Sequence, residues 1–144
     1  MKITYTNINK FQQDKFQEQI AIAQGFLRQI YNNPNFDNVE YIFSNGACRS
    51  RYYRNEIPDG KYINPVIRIS NRSELYLYEK KSLGLKKYAL NVGNYVQVIC
   101  ALVHELTHHI QYNEKRSRGE LETTKNEVEF LRVFYPDYYK ELLK

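Results

Sequence analysis

Cysteine is scarce in this sequence, and its scarcity excludes two classes of small protein. Cys48 and Cys100 are the only cysteines in 144 residues, and they form no C-x-x-C pair. A disulfide framework and a thiolate zinc site are therefore excluded. Cys100 lies in an apolar run, where we expect a small buried side chain rather than a reactive thiol. The chain has to rely on an ordinary hydrophobic core, and its length suits one domain over residues 1–144.

Long apolar segments are also missing. No run approaches the roughly 18 residues that a transmembrane helix needs. The first residues, MKITYTN, lack the apolar stretch of a secretory signal. We therefore expect no membrane partner and a cytoplasmic location. Nothing in the sequence indicates an oligomeric state.

The net charge of +5 is modest, but the basic residues are clustered. They gather in the segment 49–54, where they alternate with tyrosines, and in the lysine pairs 80–81 and 86–87. Interleaved cations and aromatic rings are typical of single-stranded nucleic-acid surfaces. A solvated strand pair and a lysine-rich turn explain the same residues, and we favour that interpretation over a nucleic-acid partner.

Hydrophobic periodicity predicts helices at both ends of the chain. Apolar residues spaced by three and four predict helices over 9–32, 94–112 and 118–134, and Pro136 precedes a short amphipathic tail over 137–143. Asn9 and Asn94 are the expected N-caps of the first two, and Ser117-Arg118-Gly119-Glu120 resembles a capping box for the third. The predicted core face of the first helix is Phe16, Ile20, Ala23, Leu27 and Ile30. That of the second is Val96, Ile99, Val103, Leu106 and Ile110, and that of the third is Leu121, Thr124, Val128, Leu131 and Tyr135.

The middle of the chain is rich in β-branched and aromatic residues. It predicts strands over 39–44, 48–54, 62–70 and 74–80, with turns at Asn45-Gly46 and Pro58-Asp59-Gly60. Leu75 and Leu77 alternate with Tyr76 and Tyr78, as in a strand with two different faces. The fold class is therefore α+β: an N-terminal helix, a small mixed or antiparallel sheet of three to four strands, and two further helices.

The second helix contains the motif His104-Glu105-Leu106-Thr107-His108. Residues four apart project from one helix face, so both imidazoles can bind one Zn²⁺ at about 2.0–2.1 Å. Glu105 lies on the adjacent flank, where a carboxylate can accept the proton of an attacking water. The motif lies on a helix face that is distinct from the core stripe but next to it. This position predicts a catalytic zinc site that lines a cleft.

A catalytic zinc site needs a third protein ligand, and histidine does not supply it. His109 points about 100° away from His108, and the longer H-E-x-x-H-x-x-G-x-x-H pattern has Gln111 and Glu114 at its last two positions. A carboxylate from the third helix is expected. Glu127 is preferred because it lies deep in that helix, whereas Glu120 has a capping role available at its frayed start. The alternatives are Glu120, Glu122 and Glu129.

The motif H-E-L-T-H, followed by the pair Asn126-Glu127, resembles the gluzincins, which are thermolysin-like zinc metallopeptidases. The similarity covers about 99–131, and the size resembles a small, minigluzincin-like member with a minimal zincin-like fold. It implies that Glu127 on the C-terminal glutamate helix is the third ligand. The family also places an acid four residues later to support a zinc histidine, and Leu131 stands there. That support is expected from Glu129, Glu120 or a backbone carbonyl.

These features predict a zinc metallopeptidase, with an endopeptidase activity favoured, that acts on peptides or proteins with Glu105 as general base. The substrate is expected to pair with an exposed edge of the strand 62–70 or 74–80. Tyr112, Tyr138, Tyr139 and His109 are candidates for oxyanion or substrate contacts, although packing explains each of them more simply. The alternatives are a weak or inactive zincin-fold binding protein, and a protease that acts on nucleic-acid-bound proteins.

Overall fold

The computed structural model describes residues 1–54, 64–81, 84–89 and 92–143. Within them lie four helices and six strands, which confirms the predicted α+β class. The predicted turn at Pro58-Asp59-Gly60 falls outside the described residues. In chain order the elements are β1 (Lys2–Thr6), α1 (Lys10–Ile30), β2 (Glu40–Arg49), β3 (Arg51–Tyr53), β4 (Val66–Glu74), β5 (Tyr76–Lys81), β6 (Gly84–Ala89), α2 (Asn94–Asn113), α3 (Glu120–Phe134) and α4 (Pro136–Leu142).

The main sheet is mixed and has the strand order β1-β2-β4-β3. β1, β2 and β4 are parallel, whereas β3 pairs with β4 in the antiparallel direction. β5 and β6 form a separate antiparallel ribbon. In this order β4 is an inner strand over the stretch that pairs with β3. The strand 62–70 was predicted to offer an exposed edge. That prediction was wrong over the stretch that pairs with β3, because β3 is the edge strand on this side of the sheet.

One predicted turn is instead a bulge inside a strand. β2 continues through Asn45-Gly46, and its register against β4 shifts between Ser44 and Ala47. Gly46 has φ 120°, a conformation that side chains disfavour, and its N–H donates to Asn71 Oδ1 at 2.9 Å. Asn-Gly is a strong local turn signal, but here pairing with a distant strand prevails over it.

Helix α2 runs through the centre of the molecule. It packs against β4, α1 and α3, and every residue from Val96 to Gln111 is buried. Its predicted core stripe is therefore confirmed, but the opposite faces are covered as well. No helix in the described ranges is long and apolar enough to cross a membrane.

Helix α1 covers one side of the core. Phe16 stacks on Phe43 of β2 with ring centroids 4.0 Å apart, and Asn9 caps the helix through Gln12 N. The predicted face is confirmed except for Ile30, which is 44% exposed at the last turn, where the helix leaves the core.

Two predicted helix starts were wrong. The N-cap of α2 is Gly93 rather than Asn94, and the N-cap of α3 is Gly119, without a side-chain cap. Leu121 is also 42% exposed, so the buried face of α3 is displaced from the predicted one. That face is largely polar, and consists of Thr123, Thr124, Asn126, Glu127, Phe130 and Leu131. A buried polar face needs polar partners, which the site on α2 supplies.

Candidate metal centre

His104 and His108 lie on one face of α2, as their spacing predicts. Both side chains are buried, and their rings meet edge to face with centroids 4.9 Å apart. Because α2 is enclosed on all sides, the helix backbone and the neighbouring elements restrict both rings. The pair is a rigid nitrogen donor set rather than two surface histidines.

Each imidazole is held through its Nδ1 atom. His104 Nδ1 contacts Glu127 Oε1, and His108 Nδ1 lies 2.9 Å from Gln111 Oε1. Partners at Nδ1 fix the orientation of a ring and leave its Nε2 free for another bond. This arrangement is typical of metal-binding histidines.

The carboxylate of Glu120 lies between the two Nε2 atoms. Its Oε2 is 3.1 Å from His104 Nε2, and its Oε1 is 3.0 Å from His108 Nε2. Glu120 is the first residue of α3, so its position depends on how the loop after α2 turns back. Lys115 in that loop has φ 58°, and Gln111 bonds both the N–H and the carbonyl of Gly119.

Glu105 completes the group from the flank of α2. Its side chain is 2% exposed, and its Oε1 lies 3.5 Å from His104 Nε2. Burial raises its pKa, while the neighbouring histidines and Arg118 lower it in part. A buried carboxylate beside two imidazoles is placed to accept and to donate a proton.

The unpaired atoms of this group test whether a cation fits there. Glu105 Oε2 is buried without a hydrogen-bond partner, and the buried atoms His108 Nε2 and Glu120 Oε2 lie 3.0–3.1 Å from their charged neighbours without forming a hydrogen bond of good geometry. Among the residues that the structure describes, His104, Glu105 and His108 offer ligand atoms that all lie within 4.8 Å of one another. Buried polar atoms without well-formed hydrogen bonds need a partner. Two imidazole nitrogens and a carboxylate oxygen suit Zn²⁺.

The electrostatics of the group also favour a cation. Burial lowers the pKa of His104, but the carboxylates of Glu127 and Glu120 outweigh burial and raise it. Burial raises the pKa of Glu127, and His104 opposes that effect. Burial also acts to raise the pKa of Glu120, but its contacts with both histidines hold it well below the usual range. The carboxylates of Glu120 and Glu127 thus favour a positive charge at His104, on a proton or on a bound cation.

Glu120 and Glu127 occupy exchanged places relative to the prediction. Glu127 was expected as the third ligand, but its carboxylate contacts Nδ1 of His104, and Nδ1 and Nε2 lie on different sides of the ring. Glu120, which was expected to close a capping box, faces both Nε2 atoms instead. Both glutamates therefore reach the histidine pair, Glu120 from the first turn of α3 and Glu127 from about two turns further along. Which of the two carboxylates binds an ion stays a prediction.

Asn126, the neighbour of Glu127, fastens α3 to α2. Its Nδ2 donates to Thr107 Oγ1 at 3.0 Å and to Tyr31 Oη at 2.8 Å. Thr107 is part of the H-E-L-T-H motif, and its own hydroxyl donates to Val103 O at 2.7 Å. The polar face of α3 thus fixes the position of Glu120 and Glu127 relative to the histidines of α2.

The two other candidate carboxylates do not reach the histidine rings. Glu129 forms an ion pair with Arg132 on the outer surface of α3. Glu122 binds Arg116 at 2.6 Å and accepts hydrogen bonds from Tyr31 and Gln111. Neither residue supports His104, because Glu127 occupies that position.

His109 and the candidate tyrosines have separate environments. His109 is buried on another face of α2, between Tyr52 Oη at 3.0 Å and Asn35 O at 2.8 Å, so it is a packing residue. Tyr138 and Tyr139 lie on α4, where Tyr138 Oη accepts from Gly93 N. Gly93 is about 16 Å along the helix from His104 at 1.5 Å per residue. Tyr112 lines a cavity together with His108.

Two openings flank the histidines. A small one of about 20 Å³ lies beside His104 and is lined by Arg49 and Tyr78 among others, and Arg49 donates to Tyr78 Oη at 3.0 Å. A larger cavity of about 320 Å³ lies beside His108 and extends to Tyr112. The basic segment 49–54 contributes residues to both openings, so it borders the site rather than forming a separate surface.

Sequence reasoning missed two residues near the site. Gln111 was considered only as a departure from a longer zinc motif, and Arg118 only as part of a capping box. The signal for Gln111 was present: it stands three residues after His108, on the same side of the helix. For Arg118 the sequence contained no such signal.

No protein-family model, no curated protein and no solved structure matches this chain. The assignment of the site therefore rests on its geometry.

Proposed function

We propose that this chain is a zinc-dependent metallopeptidase that hydrolyses peptide bonds. His104, His108 and Glu120 would hold the ion, and Glu127 and Gln111 would orient the two imidazoles. One observation carries the proposal: both rings are anchored at Nδ1, while both Nε2 atoms face the same carboxylate at 3.0 and 3.1 Å.

When bound, Zn²⁺ lowers the pKa of a coordinated water to about 7 and polarises the scissile carbonyl. Glu105 carries out the proton transfers. Its Oε2 is buried and unpartnered, so it can accept a proton from the attacking water and later deliver it to the leaving amine nitrogen. The same atom thereby acts first as base and then as acid.

The assignment of Glu105 can be tested by comparing Glu105→Gln with Glu129→Gln. Both changes remove one carboxylate charge from a helix, but only the first lies at the site. Zinc-loaded wild-type protein is incubated with a mixed peptide library, and the products are identified by mass spectrometry. We expect Glu105→Gln to keep its zinc and to lose roughly 10²- to 10⁴-fold in cleavage rate, whereas Glu129→Gln retains activity.

Two results would contradict the proposal. Cleavage at the wild-type rate by Glu105→Gln would exclude Glu105 as the proton carrier. A zinc-loaded wild-type protein that cleaves no library peptide would instead favour a binding protein that keeps a metal site.

A further inference from the structure

We propose that the cavity beside His108 binds a carboxylate of the peptide substrate. This inference rests on the proposed function, because it makes the cavity a specificity pocket of the same site. The cavity has a volume of about 320 Å³, and His108 forms part of its wall. That volume suits one side chain or one chain end rather than a large ligand.

The positive charge of the cavity comes from three arginines, and their partners differ. Arg116 binds the carboxylates of Glu114 at 2.7 Å and Glu122 at 2.6 Å, which balance its charge. Within 1–54, 64–81, 84–89 and 92–143, no carboxylate forms an ion pair with Arg54 or Arg118. As far as the described residues go, these two guanidinium groups are therefore available to an anion in the cavity.

The side chain of Arg54 has a hydrogen-bond donor that an acidic ligand would satisfy. Its guanidinium carbon lies 3.9 Å from the centre of the Tyr112 ring, and its Nε is buried without a hydrogen-bond partner. A buried N–H of a charged group that lacks an acceptor is costly. A carboxylate oxygen from a ligand supplies that acceptor, and a guanidinium can bind it through two parallel hydrogen bonds.

Arg118 faces the same cavity from the loop before α3. One of its terminal nitrogens donates to Tyr52 O at 3.1 Å, which ties the side chain to the edge strand β3. The remaining N–H groups can reach a ligand, while Tyr52 and Tyr112 provide ring surfaces for methylene groups. The lining thus combines apolar walls with two cations, which matches Asp, Glu or a free peptide C-terminus.

The test measures the affinity of four fluorescein-labelled peptides for zinc-loaded Glu105→Gln protein by anisotropy. The synthetic peptides share one otherwise uncharged sequence and carry internal Glu or Gln, each with a free or amidated C-terminus. We expect one carboxylate source to improve binding by roughly 10- to 100-fold over its amide counterpart. A preference for Glu over Gln identifies a side-chain carboxylate as the source, and a preference for the free over the amidated end identifies the C-terminal carboxylate.

Arginine variants in the same background locate the effect. Arg54→Gln and Arg118→Gln are expected to abolish most of the carboxylate preference, whereas Arg132→Gln on the outer face of α3 is expected to retain it. Equal affinity for all four peptides would overturn the proposal, as would a preference that survives both cavity variants. Oligonucleotide binding that depends on Arg54 and Arg118, without any peptide preference, would overturn it in favour of a nucleic-acid surface.

Failure of the carboxylate pocket can be distinguished from failure of the proposed peptidase activity. Carboxylate-dependent binding without wild-type cleavage would support the pocket and contradict the peptidase. Cleavage without a carboxylate preference would support the peptidase and contradict the pocket.

Discussion

Gln111 accepts a hydrogen bond at the same Oε1 atom from His108 Nδ1, at 2.9 Å, and from the N–H of Gly119, at 3.1 Å. One amide oxygen therefore joins the imidazole of His108 to the residue that caps α3. Since α3 begins with Glu120, this link positions the carboxylate of Glu120 relative to His108.

Gln111→Ala should weaken zinc binding without removing a ligand. We expect a loss of about 10- to 100-fold in affinity, because the ring of His108 and the start of α3 lose their common anchor. Competition with a chromophoric chelator measures the affinity. Gln17→Ala, on the exposed side of α1, is the matched control. An affinity equal to that of the control would show that Gln111 has no orienting role.

Glu120→Gln and Glu127→Gln should differ in their effect on zinc. Glu120→Gln removes a charged donor that faces both Nε2 atoms, and should exceed the roughly 10- to 100-fold loss typical of removing a partner that only orients a ligand. Glu127→Gln should fall within that range. Zinc titration of both variants, with Glu129→Gln as control, gives the ranking. The reverse ranking would restore Glu127 as the ligand that the resemblance implies.

Removal of the metal should lower the thermal stability of the wild-type protein. Free zinc at about 100 times its Kd adds about 2.7 kcal/mol to the free energy of unfolding. For a chain of this size that raises Tm by roughly 5–10 °C. Differential scanning fluorimetry with and without a chelator measures the shift. The same titration of Glu120→Gln should give a much smaller shift, and an equal shift would show that zinc binds elsewhere.

Asn126→Ala should destabilise the contact between α2 and α3. It leaves Thr107 Oγ1 and Tyr31 Oη without a donor in a buried setting, which we expect to cost about 1–3 kcal/mol. Urea unfolding measures the free energy, and Asn38→Ala on the surface is the control. A change no larger than that of the control would mean that water replaces the amide.

The parts of the fold that depend on local signals were predicted well. The first helix and its Asn9 cap, the core stripe of α2 and the shared face of His104 and His108 all follow from spacing along one element. The first strand, β1, was missed, because its five residues are a strand only through pairing with Glu40–Ser44. Pairing across such a distance leaves little trace in a short segment.

The site was predicted as a set of residues but not as an arrangement. Helical angles place Glu120 and Glu127 on nearly the same flank of α3, since seven residues make almost two turns. They do not determine which carboxylate meets the Nε2 atoms of the histidines and which meets Nδ1 of His104. The loop between α2 and α3 determines it, through Lys115 and the bonds of Gln111 to Gly119. Loop geometry of this kind is not encoded in periodicity.

The start of α3 has a consequence for control of the chemistry. The two histidines stand on an enclosed central helix, whereas Glu120 is the first residue after the loop 114–119, which is exposed over 114–118. In the proposed site, a displacement of that loop would withdraw the carboxylate of Glu120 and leave the imidazole pair in place. A molecule bound to the outside of the loop would then reduce the proposed hydrolysis without contacting either histidine.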